Sequence, residues 1–225
     1  MAVMRPFYLK RMDKSFITGY NIIRNNYVIS PNQEKVRSEE DVDFPEFIKA
    51  LYQRYKIDYP KFYKMDNLCK LAFISSEILL KETGLKQKYS DEAIGIVLCN
   101  SSASIDSDCK HVESFVDKAN YYPSPSIFVY TLPNIAIGEI CIRNSIKGEN
   151  ALFVFEKFEV EFSVNYLKNL LDTGKAEACI GGWIEYSEEG FESFLFSVER
   201  KDKLEPNQAI VPFSTEEIRK LYLKN

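Results

Sequence analysis

Five cysteines and a single histidine are the most chemically capable residues of this 225-residue chain: Cys69, Cys99, Cys109, Cys141, Cys179 and His111. A thiolate can act as a nucleophile or a metal ligand, but only where an electropositive, partly open setting lowers its pKa. The thiols are odd in number and widely spaced, with no CxxC pair and one histidine to accompany them. They indicate neither a disulfide framework nor a zinc site, and no metal or other cofactor is expected. Cys179 falls inside an apolar strand and Cys141 on an apolar helix face, where cysteine behaves as a small hydrophobe. Cys99 closes an apolar run just before Asn100-Ser101-Ser102. It is the one thiol expected at a cleft rim, and the one given a chemical role. No Gly-x-Ser-x-Gly elbow, phosphate loop or dinucleotide glycine fingerprint is present. His111, after Asp106 to Asp108, reads as an exposed helix residue.

The elements that would position these groups follow from periodicity. Ser15 to Ser30 is rich in β-branched and aromatic residues around Gly19 and Asn25-Asn26, which predicts a strand or hairpin closed by Pro31. An acidic stretch, Ser38 to Asp43, precedes Phe44 to Tyr55, where Phe44, Phe47, Ile48, Leu51 and Tyr55 recur at helical spacing. Asp66 stands as N-cap to a helix that Gly84 ends. Ala93 to Cys99 reads as a strand buried on both faces, running into the polar loop Asn100 to Ser107. Tyr121 to Pro125 is a proline-ruled turn, and Ser126 to Asn144 is a buried helix broken around Pro133-Asn134. Ala151 to Phe155 predicts a strand, Val160 to Leu171 a helix stopping at Gly174, and Ala176 to Ile184 a buried strand containing Gly181-Gly182. Phe191 to Val198 is a further strand, and Thr215 to Leu223 a terminal helix. Strands alternating with helices imply a layered α/β fold with a mixed, largely parallel central sheet.

Bulk composition narrows the function classes. With 45% hydrophobic and 28% charged residues the chain has the makeup of one globular domain over residues 1–225. A net charge of −4, with both signs mixed throughout, argues against a nucleic-acid surface. Met1 to Lys14 carries basic residues without a following apolar stretch, and no apolar run reaches membrane-spanning length. A cytoplasmic protein with no membrane association is expected.

Several short motifs, in order, resemble the β-ketoacyl-acyl-carrier-protein synthases of the thiolase-like superfamily. Lys64-Met65-Asp66 precedes a long helix; Tyr122-Pro123-Ser124-Pro125, Thr131-Leu132-Pro133-Asn134, Gly138-Glu139-Ile140 and Lys147-Gly148-Glu149-Asn150 then follow the run of that family's substrate-side loop. Gly174-Lys175-Ala176-Glu177-Ala178 leads to Gly181-Gly182 as in the family's helix-to-strand passage. The match covers about residues 15–200, the amino-terminal half of such a synthase, with 205–225 as a C-terminal extension. It implies a thiolase-like half, and it marks Asn100, Ser101, Ser102, Pro133 and Asn134 as the substrate-side loop.

The resemblance also implies where a nucleophile should stand. In the family a cysteine sits where a buried strand meets a helix N-terminus, which favours its thiolate and supplies oxyanion-binding N–H groups. Nine residues after Gly148 and seventeen before Gly174, this position is Lys157. Beside a helix N-terminus, with Glu156 and Glu159 near, an amine stays ammonium and is a poor nucleophile, so Lys157 reads as a solvated lysine paired with one of those glutamates. Phe153, Phe155, Phe158 and Phe162 crowd the region where small residues would admit an acyl chain. The family's catalytic histidines have no counterpart.

Two readings follow. In the first the chain is a non-catalytic, chain-length-factor-like subunit of a fatty-acid, polyketide or aryl-polyene-type pathway. It would form a homodimer or pair with a full-length ketosynthase through the apolar strand around Leu152, Val154 and Phe155, and acyl-carrier protein is a further partner. In the second it is an acyltransferase or acyl-thioester binder of the same pathway, using other chemistry on the same loop.

Overall fold

The computed structural model describes residues 14–31, 33–37, 42–117, 119, 121–187, 189–204 and 210–224. Most of the basic start, and the acidic stretch from Ser38 to Asp41, lie outside the described residues. The element order is β1 (Ser15–Arg24), β2 (Tyr27–Ser30), β3 (Gln33–Arg37), α1 (Phe44–Arg54), a 3-10 turn (Pro60–Lys64), α2 (Asn67–Thr83), α3 (Leu85–Lys88) and β4 (Ile94–Asn100). The chain continues as α4 (Ile105–Val116), α5 (Pro125–Phe128), a 3-10 turn (Val129–Thr131), α6 (Ile135–Asn144), β5 (Asn150–Val154), α7 (Val160–Asp172), β6 (Ala178–Ser187), β7 (Gly190–Arg200), a 3-10 turn (Lys201–Lys203), β8 (Val211–Pro212) and α8 (Thr215–Tyr222).

One sheet organises the molecule, in the order β3-β2-β1-β7-β6-β4-β5, with β8 paired to β1. It is mixed. Its parallel pairings are β4 with β5 and β4 with β6, and the rest of the sheet is antiparallel, so parallel pairing is confined to one end rather than prevailing. The reason lies in the connections. Short turns join β1 to β2, β2 to β3 and β6 to β7, and a short turn can return the chain only antiparallel, whereas α7 is long enough for the crossover a parallel neighbour needs. Asn25 and Asn26 turn the first hairpin with φ of 50° and 60°, the pair of left-handed conformations a two-residue hairpin requires.

Helices cover both faces. On one, α1, α2 and α6 pack against Ile94, Ile96, Leu98, Ile180 and Leu195; on the other, α7 and α8 pack against Val97, Cys99, Trp183, Phe194 and Phe196. β4 is therefore buried at every residue, which is why its sequence reads as a continuous apolar run. In α2 the Asp66 carboxylate accepts from the Cys69 N–H at 2.8 Å and Gly84 closes the helix at φ 66°. Gly181 and Gly182 let layers meet: a Cβ on Gly181 would lie 2.5 Å from the Leu167 side chain of α7, and one on Gly182 2.1 Å from the Phe194 carbonyl oxygen. α5 and α6, bent by 100° across Leu132 to Asn134, realise the break expected at Pro133-Asn134. Among the described residues no single helix is long and apolar enough to cross a membrane.

The 205–225 segment is built into this architecture as far as it is described. β8 extends the sheet beside β1, and α8 lays Ile218 and Leu221 into the core that α7 covers.

Candidate functional site

β4 and β5 run parallel and end together beside β6, which continues to Ser187, and the segments beyond them gather the residues singled out by sequence. Asn100 ends β4 fully buried; its side-chain amide donates to the Ala103 carbonyl at 2.8 Å, and its own carbonyl accepts from the Phe155 N–H at 2.9 Å. Ser101 and Ser102 then turn toward Glu185 of β6. That carboxylate accepts from the Ser101 N–H at 2.6 Å, the Ser102 N–H at 3.3 Å and the Ser102 hydroxyl. Glu185 is the residue that sequence reasoning missed. The available signal was an acidic side chain inside the otherwise apolar run Ala178 to Tyr186, where a charge needs partners. The Ser101 and Ser102 N–H groups are thus engaged by a carboxylate rather than aimed at an oxyanion.

Ser104 continues the loop, donating to the Thr131 carbonyl at 2.9 Å and so tying the start of α4 to the turn before Pro133-Asn134. The Ser107 hydroxyl donates to Asp66 at 2.6 Å, so the N-cap of α2 also anchors α4. Pro133 and Asn134 stand at the bend between the 3-10 turn and α6, where Asn134 is N-cap without a side-chain cap hydrogen bond. The Asn100 to Ser104 loop, the start of α4 and the turn before Pro133-Asn134 are thus linked through hydroxyls and carboxylates.

Lys157 lies in the bend between β5 and α7, exposed, three residues before the first residue of α7. The strand-to-helix junction expected there is present. The expected ion pair is not: among the described residues no salt bridge joins Lys157 to Glu156 or Glu159, because the bend directs the side chain to solvent. Its neighbour Phe158 turns inward instead, 8% exposed, with ring centroids 6.0 Å from Trp183, 6.0 Å from Phe194 and 5.2 Å from Tyr222 of α8. The space beneath the junction is filled with aromatic rings, one of them delivered by the terminal helix. Phe153, Phe155, Phe162 and Tyr166 make a second, half-buried cluster over β5 and α7, with Phe153 and Phe162 centroids 4.7 Å apart.

Cys99 is not at a rim. It is 0% exposed, and its Sγ lies 3.5 Å from the Ser163 Oγ under the first turn of α7. β4 extends one residue further than the sequence pattern shows, and strand alternation turns Cys99 toward the α7 layer. Burial pushes its thiol pKa up, and the Ser163 hydroxyl only partly opposes this, so the thiolate that nucleophilic chemistry needs is disfavoured. Burial likewise pushes Cys179 up to about 12. His111 is half-buried rather than exposed, its ring against Phe115 and Phe128. Among the described residues no cluster of three or more His, Cys, Asp or Glu side chains is arranged to hold a metal.

β5 ends the sheet. Among the described residues it pairs only with β4, with Leu152 toward the α6 layer, Phe153 and Phe155 toward the α7 layer, and Val154 51% exposed. Beyond the same end of β4, the α4 to α5 segment presents Ile105, Val112, Tyr122, Phe128 and Leu132 to solvent.

No protein-family model and no curated protein matches the sequence. Solved structures do match in shape. The ishigamide ketosynthase/chain length factor shares 19% identity over 85% of this chain and 63% of that chain, with a TM-score of 0.63. A ketosynthase in complex with its chain length factor from Xenorhabdus doucetiae shares 12% identity over 83% of this chain and 79% of that chain, TM-score 0.56. A β-ketoacyl synthase from Burkholderia phymatum STM815 shares 13% identity over 85% of this chain and 60% of that chain, TM-score 0.56. The chain therefore spans less than two thirds of the length of the first of these. At such identities the likeness speaks to architecture, and the architecture is the thiolase-like α/β fold of β-ketoacyl synthases and chain length factors.

Proposed function

We propose that this chain is a non-catalytic β-ketoacyl synthase-like subunit, comparable to a chain length factor, acting beside an active ketosynthase in a fatty-acid, polyketide or aryl-polyene-type pathway. The observation that carries this reading is the β5 to α7 junction. At the position where the family holds its nucleophile stands Lys157, pointing to solvent, while Phe158 beside it closes the space an acyl chain would enter. Condensation needs a thiolate, donors for the developing oxyanion, and groups that stabilise a carbanion. Burial disfavours the thiolates of Cys99 and Cys179, and Glu185 engages the Ser101 and Ser102 N–H groups.

The same observations weigh against an acyltransferase that uses Cys99 at that loop, since this thiol is buried under α7. A subunit role needs only a surface. β5 offers an open edge and the α4 to α5 segment an apolar cap, the kind of exposed apolar area that marks association. The partner is either a second copy or a full-length ketosynthase, and acyl-carrier protein would be met by the assembly.

The test is chemical. Incubation of the purified chain with acyl and malonyl thioesters of acyl-carrier protein or coenzyme A should give no covalent adduct by intact mass and no condensation product. A stable acyl adduct on this chain would replace the subunit reading with the acyltransferase one.

A further inference from the structure

Away from the β4–β5–β6 loops, the carboxyl ends of α1, α2 and α6 converge with α3 around a cleft of about 330 Å3. Its walls carry four cations, Lys56, Lys81, Lys86 and Arg143, and one carboxylate, Glu77. Arg143 is steered by Glu77 at 3.5 Å, and Lys86 by Asp91 at 2.7 Å. Lys56 and Lys81 are exposed, and neither forms a salt bridge among the described residues. Arg143 and Lys86 thus have carboxylate partners, Asp91 being shared with Lys147 at 3.3 Å, and Lys56 and Lys81 are the two cleft cations without a salt bridge among the described residues.

Cations at helix C-termini commonly serve the exposed carbonyls there. Here backbone N–H groups already do so. Lys56 and Ile57 donate to Gln53 and Tyr52 in α1, Gly84 donates to Leu80 in α2, and Ser145 and Ile146 donate to Cys141 in α6. The lysines are thus not required as caps. Moreover, Lys56 holds φ at 53°, a left-handed conformation that suits glycine and costs other residues stability. That conformation belongs to the backbone turn in which Lys56 and Ile57 close α1.

We propose that this cleft binds a small organic phosphate. The charges of Lys56 and Lys81 match a phosphate monoester dianion, and lysine and arginine donors are the usual partners of phosphate oxygens. Tyr55, Ile57 and Leu80 supply apolar wall for the organic part. At about 330 Å3 the cleft falls at the lower end of small-molecule site volumes, the size class of an ester with one ring.

Titration calorimetry on the full chain, with phenyl phosphate, inorganic phosphate and phenol as probes, tests this. Phenyl phosphate should bind saturably with a Kd of about 1 mM or tighter, ahead of both other probes. The double variant Lys56→Ala, Lys81→Ala should weaken it at least about tenfold, the effect of losing two charge-assisted contacts. Lys56→Gly separates fold from site: relief of the left-handed strain should raise the Tm by a few degrees while phenyl phosphate affinity falls several-fold. Absence of saturation, equal affinity in the double variant, or phosphate binding no weaker than its phenyl ester would each overturn the proposal.

Discussion

Placing a thiol at position 157 would put it in an exposed bend above a packed aromatic floor, not at the mouth of a tunnel. Lys157→Cys is therefore expected to remain inactive in a condensation assay with acyl and malonyl thioesters, like the wild type, and measurable product from either protein would contradict the subunit reading. The native thiols should sort by burial. Iodoacetamide at pH 8 should label exposed Cys109 first, and reach Cys99 and Cys179 only after denaturation, because burial raises the pKa of both and keeps them protonated in the folded chain. Peptide mass mapping reads this directly, and native labelling of Cys99 would restore it as a reactive candidate. At this scale the sequence placed Lys157 between a strand and a helix, as the structure has it, because an apolar run ends before it and helical spacing begins after it. It misjudged Cys99, because strand alternation fixes the facing of a side chain only once the strand's end is known. Glu185 escaped because its role depends on a loop whose Ser101 and Ser102 lie 84 and 83 residues earlier in the chain.

The elements hold together where glycine admits close approach, and β6 against β7 shows it most clearly. A methyl on Gly182 would meet the Phe194 carbonyl oxygen of the neighbouring strand, and a backbone atom has nowhere to retreat. Gly182→Ala should destabilise the chain by about 3 kcal/mol, the upper range for an overpacked core. Gly138, in α6, has its nearest neighbour, the Ile135 side chain, at an ordinary 3.8 Å. Gly138→Ala should stabilise by about 0.5–1 kcal/mol through the unfolded state. Urea midpoints of the two variants should move in opposite directions, and a common direction would contradict the packing described. The helices and the buried strands were legible because each has a strong period or an unbroken apolar run. β3 was not, since Gln33 to Arg37 is mostly polar and charged, as suits an outer strand whose pairing is set by the hairpin before it. The extent of antiparallel pairing was equally hidden, because the loops that dictate it, such as Ser187 to Gly190, look like any polar turn.

For the molecule as a whole, β5 is the unresolved edge. A terminal strand presents unpaired N–H and C=O groups, and proteins commonly protect such edges with charge, proline or a covering element. Ala151-Leu152-Phe153-Val154-Phe155 has none of these, and the first charges, Glu156 and Lys157, come only after the strand has ended. Half of Val154 faces water, while the aromatic cluster of Phe153, Phe155, Phe162 and Tyr166 is only partly covered. An antiparallel copy of β5, from this chain or from a ketosynthase, would satisfy the open hydrogen bonds and bury those rings in one step, and a two-fold axis is the economical way for two identical edges to meet. Val154→Lys places a charge in the centre of that contact. Because the residue is exposed, the substitution should leave monomer stability within about 0.5 kcal/mol. Sedimentation at micromolar concentration, of each protein alone and mixed with a purified ketosynthase of the same organism, should show the wild type as a dimer or heterodimer and the variant as a monomer in both. If wild type and variant sediment alike under both conditions, β5 is not the assembly surface, and the subunit reading loses the contact on which it depends.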